Sequence, residues 1–147
     1  MTSQVDDARS HIGHQFPGGA YRIAHWENWL LTDCTGAEPL PDQLVHPIAL
    51  FHAPILGSGI SITELFALFN VTGMGGVSLV GYDWEYFQPL QEDVDYQCEG
   101  RVITVERGDT TPTGWTETMA FQIDMLDHDH QPVARVTNTW RFHRQVS

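Results

Sequence analysis

Apolar and polar residues alternate along the second half of the chain, which is the pattern of strands with one buried face. The alternation is strongest in the last two runs and weaker in the earlier ones. The predicted strands occupy residues 21–24, 77–87, 94–105, 115–125 and 134–142. Turn-forming residues at 127–132 separate the last two runs, so we expect those strands to be antiparallel neighbours.

A Gly/Ser turn near the middle of the chain leads into a segment that is apolar on nearly every side. We predict a helix over 59–72, with Ser61 and Glu64 as a capping box at its start and glycines at its end. A helix of this kind must be buried all round. The pattern therefore predicts an α+β fold in which an antiparallel sheet of five or more strands wraps around one long helix.

The chain before this helix is less regular. Trp26, Trp29 and Leu30 have the i, i+3, i+4 spacing of a short helix over 25–32. Several glycines and prolines interrupt residues 33–54, which predicts a long irregular segment. A loop of that length in a compact domain usually carries function or covers a ligand.

The composition of the 147 residues, 41% of them hydrophobic, is that of one globular domain whose core needs no disulfide. We expect a flexible N-terminal arm over 1–19 and a single domain over 20–147. The start of the chain lacks the features of a secretory signal, and no apolar run is long enough for a transmembrane helix. With Cys34 and Cys98 expected to be free thiols, the sequence predicts a cytoplasmic protein with no membrane partner.

The formal net charge is −12, and the chain has no lysine. A nucleic-acid-binding surface needs clustered Lys and Arg, so we expect no nucleic-acid partner. Schiff-base catalysis by lysine is excluded. His128 and His130 flank Asp129 in a turn, but two histidines without a third ligand are a weak metal signal. We therefore expect neither a metal nor a cofactor.

Three stretches of the chain resemble the MaoC-like enoyl-CoA hydratases and dehydratases, a family with the hot-dog fold. Residues 29–33, Trp-Leu-Leu-Thr-Asp, are similar to a family helix that ends in an aspartate. Residues 51–55 are similar to the Pro-Ile stretch that precedes the family's central helix, and residues 86–94 to its Phe-x-x-Pro-Val-x-x-Gly-Asp turn. The resemblance covers about residues 20–143. It implies an acyl-CoA or acyl-carrier-protein substrate and pairing as a homodimer or as a heterodimer with another hot-dog chain.

The chain departs from the family at the catalytic positions. The family's Asp-x-Asn-Pro-x-His reads Asp-Cys-Thr-Gly-Ala-Glu at 33–38, so the aspartate matches but the histidine does not. The family's His-Gly before the helix is replaced by Gly57 and Ser58. Gly59 and Glu64 have the spacing of a Gly and Glu in the hydroxyacyl-carrier-protein dehydratases. Those dehydratases also have a catalytic histidine, which forms a dyad with the Glu, and its position falls on Leu50 in this chain.

Hydration of an enoyl thioester needs a base that activates water, an acid that protonates the α-carbon, and donors that hold the enolate oxygen. The resemblance makes Asp33 the candidate base. His52, and after it His46, lie in the irregular segment near the start of the helix, and either could supply the missing imidazole. Glu64 is a further candidate acid, although its capping box with Ser61 explains it without catalysis.

Gly57, Ser58 and Gly59 are the candidate substrate-binding residues. Glycine permits close approach of the backbone, and the start of a helix favours a partly negative oxygen such as that of a polarised thioester. The alternative is that these glycines only permit a tight turn.

These features together predict an acyl-thioester-processing hot-dog protein. The favoured activity is that of a hydro-lyase, a hydratase or dehydratase of a 3-hydroxyacyl or enoyl group on CoA or a carrier protein. The degenerate dyad also fits a non-catalytic hot-dog subunit, or a small-ligand binder, that pairs with a catalytic MaoC-like chain. A third possibility is an acyl-CoA thioesterase in which Glu64 or Asp33 activates water.

Overall fold

The computed structural model describes residues 8–71 and 74–146. Within these residues the chain forms five strands, β1 (Gly19–Arg22), β2 (Val77–Tyr86), β3 (Asp95–Thr111), β4 (Gly114–Leu126) and β5 (Pro132–Gln145). They pair in one antiparallel sheet, in the order β1-β3-β4-β5-β2. Four of the predicted strand regions are thus confirmed, and the first, predicted over 21–24, lies two residues earlier, at Gly19–Arg22. β3 extends beyond its predicted end because it stays paired with β4 as far as the turn at 112–113.

Three short helices connect β1 to β2 in the described part of the chain. They are α1 (His25–Cys34), α2 (Ala53–Gly57) and α3 (Ile62–Leu68), with 3₁₀-helices at Pro47–Phe51 and Met74–Gly76. The segment 33–54, predicted to be irregular, therefore contains helical turns. Its prolines do not prevent them, because Pro47 and Pro54 lie in the first turn of their helices, where a missing N–H costs little.

The helix predicted over 59–72 is shorter in the structure, since α3 spans seven residues. It begins at Ile62 and not at Gly59, and the predicted capping box is confirmed. The Ser61 hydroxyl accepts from the Glu64 amide at 3.1 Å, and the Glu64 carboxylate accepts from the Ser61 amide at 2.7 Å. The chain then leaves the helix through Asn70, whose φ is 55°. The predicted C-terminal boundary at 72–73 lies outside the described residues.

The prediction that this helix is buried all round is wrong. Leu65 and Phe66 are buried against the sheet, whereas Thr63, Glu64 and Ala67 are exposed. One side of the helix packs on the inner face of the sheet and the other side is exposed, although the sequence of the helix is largely apolar.

The hydrophobic core lies between α3 and the inner face of the sheet. Alternate residues of β4 and β5 are buried there. Phe66 packs edge-on against Trp140, with ring centroids 5.3 Å apart, and Phe121 meets the same indole at 5.2 Å. Glu117 is the charged exception on this face. It pairs with Arg144 at 2.5 Å, and Arg144 also donates to backbone carbonyls just after α3, which fixes the helix to the sheet.

Residues 8–19, the described part of the predicted flexible arm, lie against the sheet. Phe16 is buried, and its amide donates to the Gly100 carbonyl at 2.8 Å. A side chain at Gly100 would overlap the Phe16 ring, so glycine lets the arm lie close to β3. Residues 1–7 are outside the described part of the chain. None of the described helices has the length and hydropathy that a bilayer-crossing segment needs.

Candidate functional site

An apolar cavity of about 390 Å³ lies between α2, α3 and the β2–β5 part of the sheet. Its apolar lining includes Ile55, Ile62, Phe66, Val77, Leu79 and Trp140. His52, Tyr82 and Asn138 bring polar groups to the lining, and Trp140 adds an indole N–H. A mostly apolar cavity with a few polar groups is the usual form of a small-molecule site.

His52 belongs to a hydrogen-bonded group of three side chains. Its Nε2 lies 2.7 Å from Glu27 Oε1, and the Tyr21 hydroxyl donates to the same carboxylate oxygen at 2.7 Å. The side chains of His52 and Glu27 are 27% and 13% exposed. Burial, together with the hydrogen bond and charge of Glu27, raises the pKa of Tyr21, so the phenol stays a donor. This arrangement can orient an imidazole and stabilise its protonated form.

Glu27 is held in place through the neighbouring residue of α1. The buried Asn28 donates to Glu92 Oε1 at 2.7 Å and to the Leu44 carbonyl at 3.0 Å, and it accepts from the His46 amide at 2.8 Å. These bonds fix α1 against the segment that leads to the cavity. Burial alone would raise the pKa of Glu92, but hydrogen bonds from Asn28 and His25 and the charge of His25 bring it below its usual value.

His52 is placed by contacts from β2. It lies between the 3₁₀-helix and α2, where the chain changes direction. The Tyr82 hydroxyl contacts the carbonyls of Leu50 and Phe51 at 3.1 and 2.6 Å, and its ring stacks on Phe51 with centroids 5.5 Å apart. The backbone on the N-terminal side of His52 is therefore tied to the sheet.

The other predicted acid–base residues do not line this cavity in the described part of the chain. Asp33 is exposed in the last turn of α1. His46 caps the 3₁₀-helix, since its Nδ1 accepts from the Ile48 amide at 3.1 Å. The Glu64 carboxylate is exposed and accepts from Ser61, which lowers its pKa. The structure brings only His52 of these four to the cavity, and the catalytic roles of the others stay predictions.

The residues at 57–59 hold α2 against the arm and the sheet. A side chain at Gly57 would overlap the Cys98 sulfur, and one at Gly59 would lie 2.5 Å from the Gly18 carbonyl oxygen. Ser58 is buried, its hydroxyl donates to the Ile55 carbonyl, and its own carbonyl accepts from the Gly18 amide. Close packing accounts for both glycines. Their predicted role in binding substrate stays a prediction.

The residues that sequence reasoning missed are Tyr21, Glu27, Tyr82 and Asn138. Only Asn138 left a signal, because it is a polar residue at an inward position of an otherwise apolar alternation. The turn at 127–131 is an exposed hairpin end, where His128 lies 3.3 Å from Asp129. Within the described residues, no three His, Cys, Asp or Glu side chains lie close enough together to hold a metal ion.

Comparison with solved structures identifies the fold. The ChsH1–ChsH2 complex of Mycobacterium tuberculosis matches with a TM-score of 0.72 and 13% identity, over 98% of this chain and 91% of that one. The HadBC (3R-hydroxyacyl-ACP dehydratase) complex of the same organism matches at 0.65 and 7% identity, over 89% and 96%. R-hydratase PhaJ1 of Pseudomonas aeruginosa matches at 0.52 and 13% identity, over 92% and 87%.

These similarities establish that the chain has the hot-dog fold, as the sequence predicts. No family model matches the chain, and no curated protein shows significant sequence similarity to it. Sequence identities of 7–13% show that these proteins share the fold, but they do not show that the chain shares their activities.

Proposed function

We propose that the chain processes acyl thioesters and acts as a hydratase or dehydratase of an enoyl or 3-hydroxyacyl group on CoA or a carrier protein. The observation that carries this proposal is the His52–Glu27 pair at an apolar cavity. The fold adds support, because the similar structures include a 3R-hydroxyacyl-ACP dehydratase and an R-hydratase.

In the proposed mechanism His52 acts first as a base, which takes a proton from water, and then as an acid, which gives that proton to the substrate. An ionised Glu27 accepts from Nε2, which leaves Nδ1 as the basic nitrogen. Nδ1 forms no hydrogen bond with any residue that the structure describes. In hydration, Nδ1 takes a proton from water as the water oxygen bonds to C3 of the enoyl group. The imidazolium, stabilised by Glu27, then gives that proton to C2, and the reverse sequence is dehydration.

The cavity suits the acyl part of such a substrate. At about 30 Å³ for each water-sized group, 390 Å³ holds roughly a dozen non-hydrogen atoms. The bulk of the lining is aliphatic or aromatic, so burial of a hydrocarbon chain supplies most of the binding free energy, at about 0.8 kcal/mol for each methylene. The polar side chains of the lining, among them His52 and Asn138, would contact the thioester end of the substrate.

A second hot-dog chain is the proposed partner, as a homodimer or a heterodimer. β2 is an edge strand of the described sheet, and its Leu79 and Val80 side chains are 57% and 48% exposed. An apolar edge strand of this kind favours pairing with another chain. Two of the similar structures are complexes of hot-dog chains.

One observation favours a different role within such a pair. The Asp-x-Asn-Pro-x-His pattern is missing, and Asp33 lies away from the cavity. The chain would then be a non-catalytic subunit that shapes the acyl site of a catalytic partner.

The test is an assay of the purified protein on a panel of enoyl-CoA substrates. It follows loss of the conjugated double bond and release of free thiol at the same time. We expect hydration by the wild type and a fall in kcat/KM of about 10²–10⁴ in His52→Asn, the range for loss of a general acid–base group. His46→Asn is the matched control, because it changes a nearby histidine and keeps a residue that caps helices well.

The outcomes separate the candidate functions and test the mechanism. Thiol release without hydration would contradict the proposal and indicate a thioesterase. Activity that survives in His52→Asn would refute the mechanism. No turnover by the folded protein alone, with activity restored by a second hot-dog chain that carries the intact Asp/His motif, would make this chain the non-catalytic subunit.

A further inference from the structure

Asn138 is a buried amide in the apolar cavity. It lies in the inward row of β5 between Val136 and Trp140, and it is 1% exposed. Its Nδ2 forms no hydrogen bond of acceptable geometry with the residues that the structure describes, and its contact with the Tyr82 hydroxyl is a marginal one. A buried amide with so poor an acceptor is destabilising, whereas a leucine of similar size would satisfy the same position. The amide is therefore better explained by something that enters the cavity than by the fold.

The neighbouring Tyr82 cannot supply a donor in its place. Its one hydroxyl proton is directed at the backbone carbonyls of Leu50 and Phe51. Burial raises the pKa of Tyr82, and a weak hydrogen bond from the Asn138 side chain opposes that rise. The phenol thus stays protonated and engaged with the backbone. Even with that contact, at least one N–H of Asn138 has no partner among the described residues, since an amide nitrogen has two donors.

Asn138 lies at the His52 end of the cavity. Asn138 is paired with Tyr82 in the β2–β5 register. The Tyr82 hydroxyl donates to the Phe51 carbonyl, which is part of the Phe51–His52 peptide bond. Leu79 and Val77 follow in the other direction along the strand. Asn138 and Tyr82 thus lie at the end of the cavity where the Phe51–His52 peptide bond is, and apolar residues of β2 line the other end.

We propose that Asn138 Nδ2 donates a hydrogen bond to the thioester carbonyl oxygen of an acyl group whose chain occupies the apolar part of the cavity. This inference rests on the proposed function and assigns to a side chain of β5 the role that the sequence assigns to the backbone at 57–59. A donor in this position also stabilises the enolate oxygen that forms as C2 gains or loses its proton.

Binding measurements test the inference without requiring turnover. Octanoyl-CoA has the thioester carbonyl, and its thioether analogue S-octyl-CoA has a methylene there. We expect the wild type to prefer the thioester by about tenfold, the effect of one hydrogen bond to a group otherwise buried without a partner. Asn138→Leu should bind the two ligands about equally and be at least as stable as the wild type. Thr139→Val is the matched control on the opposite face of β5 and should keep the preference.

The outcomes separate this inference from the proposed function. An unchanged preference in Asn138→Leu would overturn it, and so would a variant that is less stable and weaker for both ligands, since that indicates a structural role. If the wild type binds neither ligand, both the inference and the proposed function fail. If the preference is present and lost as expected but octenoyl-CoA is not hydrated, the inference holds and the proposed reaction is wrong.

Discussion

Gly57 is the last residue of α2, and replacing it with alanine tests how closely that helix is packed on the sheet. A Cβ at this position would lie 3.0 Å from Tyr21 Cβ and 3.1 Å from Cys98 Cβ, and it would overlap Cys98 Sγ. Cys98 is fully buried, so its sulfur has no open space to move into. Overpacking of this kind costs about 1–3 kcal/mol. We expect the melting temperature of Gly57→Ala to fall by about 2–4 °C for each kcal/mol.

A double-mutant cycle with Cys98→Ala identifies the clash. Cys98→Ala alone should cost about 1 kcal/mol, because it removes one buried heavy atom of methylene size. It also removes the sulfur that the new methyl group would meet. The double variant should therefore be more stable than the sum of the single effects by about 1 kcal/mol or more, within the range seen for residues in contact.

Urea denaturation with linear extrapolation measures all four proteins. Strict additivity, or a Gly57→Ala variant within about 0.5 kcal/mol of the wild type, would refute the packing explanation of this glycine. The same variants report on the cavity, because α2 begins directly after His52.

Three further predictions concern capping, thiols and pH. Ser61→Ala should destabilise the protein by about 1 kcal/mol and Ser61→Asp by much less, as measured by denaturation, and equal losses would contradict the capping box with Glu64. Thiol labelling of the native protein should modify the exposed Cys34 and not Cys98. Cys98 is buried, and its burial raises the pKa of its thiol to about 12. Fast labelling of both cysteines would contradict this packing. The lowered pKa of Glu92 means that it adds stability above its unfolded pKa of about 4.3, and that this stability is lost as pH falls through the folded value. Glu92→Gln should thus be less stable than the wild type at pH 7 and converge with it in acid, and a gap that persists in acid would contradict this.

The strands were predictable because each carries its own evidence. Residues 115–125 and 134–142 alternate over a whole strand, since one face of each strand meets the core and the other faces outward. That alternation lies within each strand's own residues, so each strand can be predicted without knowledge of its partner strand. The end of β3 was missed because only pairing with β4, and no change in its own pattern, carries it on to Thr111.

The central helix shows where local evidence fails. Its start was predictable from Ser61 and Glu64, which interact across three residues. Its length and burial were not, because an apolar composition does not show where the chain turns or how much surface the sheet can cover. Leu65 and Phe66 are buried while Ala67, equally apolar in sequence, is exposed.

The candidate site was half predictable for the same reason. The position of His52 before the helix predicts that it lies at the site, and His52 does line the cavity. Glu27 was not named, because its pairing with His52 spans 25 residues and depends on α1 being held in place through Asn28. The family resemblance points instead to Asp33, which lies six residues further along the same helix. The sequence therefore predicts the helix but not the residue in it that pairs with His52.

The most direct test of the account compares two carboxylates of α1. We would measure kcat/KM for an enoyl-CoA with Glu27→Gln and with Asp33→Asn, each checked for an unchanged fold. The account predicts a loss of at least about 10² in Glu27→Gln, because the amide no longer stabilises the His52 imidazolium, and about wild-type activity in Asp33→Asn. Full activity in Glu27→Gln together with loss of activity in Asp33→Asn would contradict the account and return the catalytic base to Asp33.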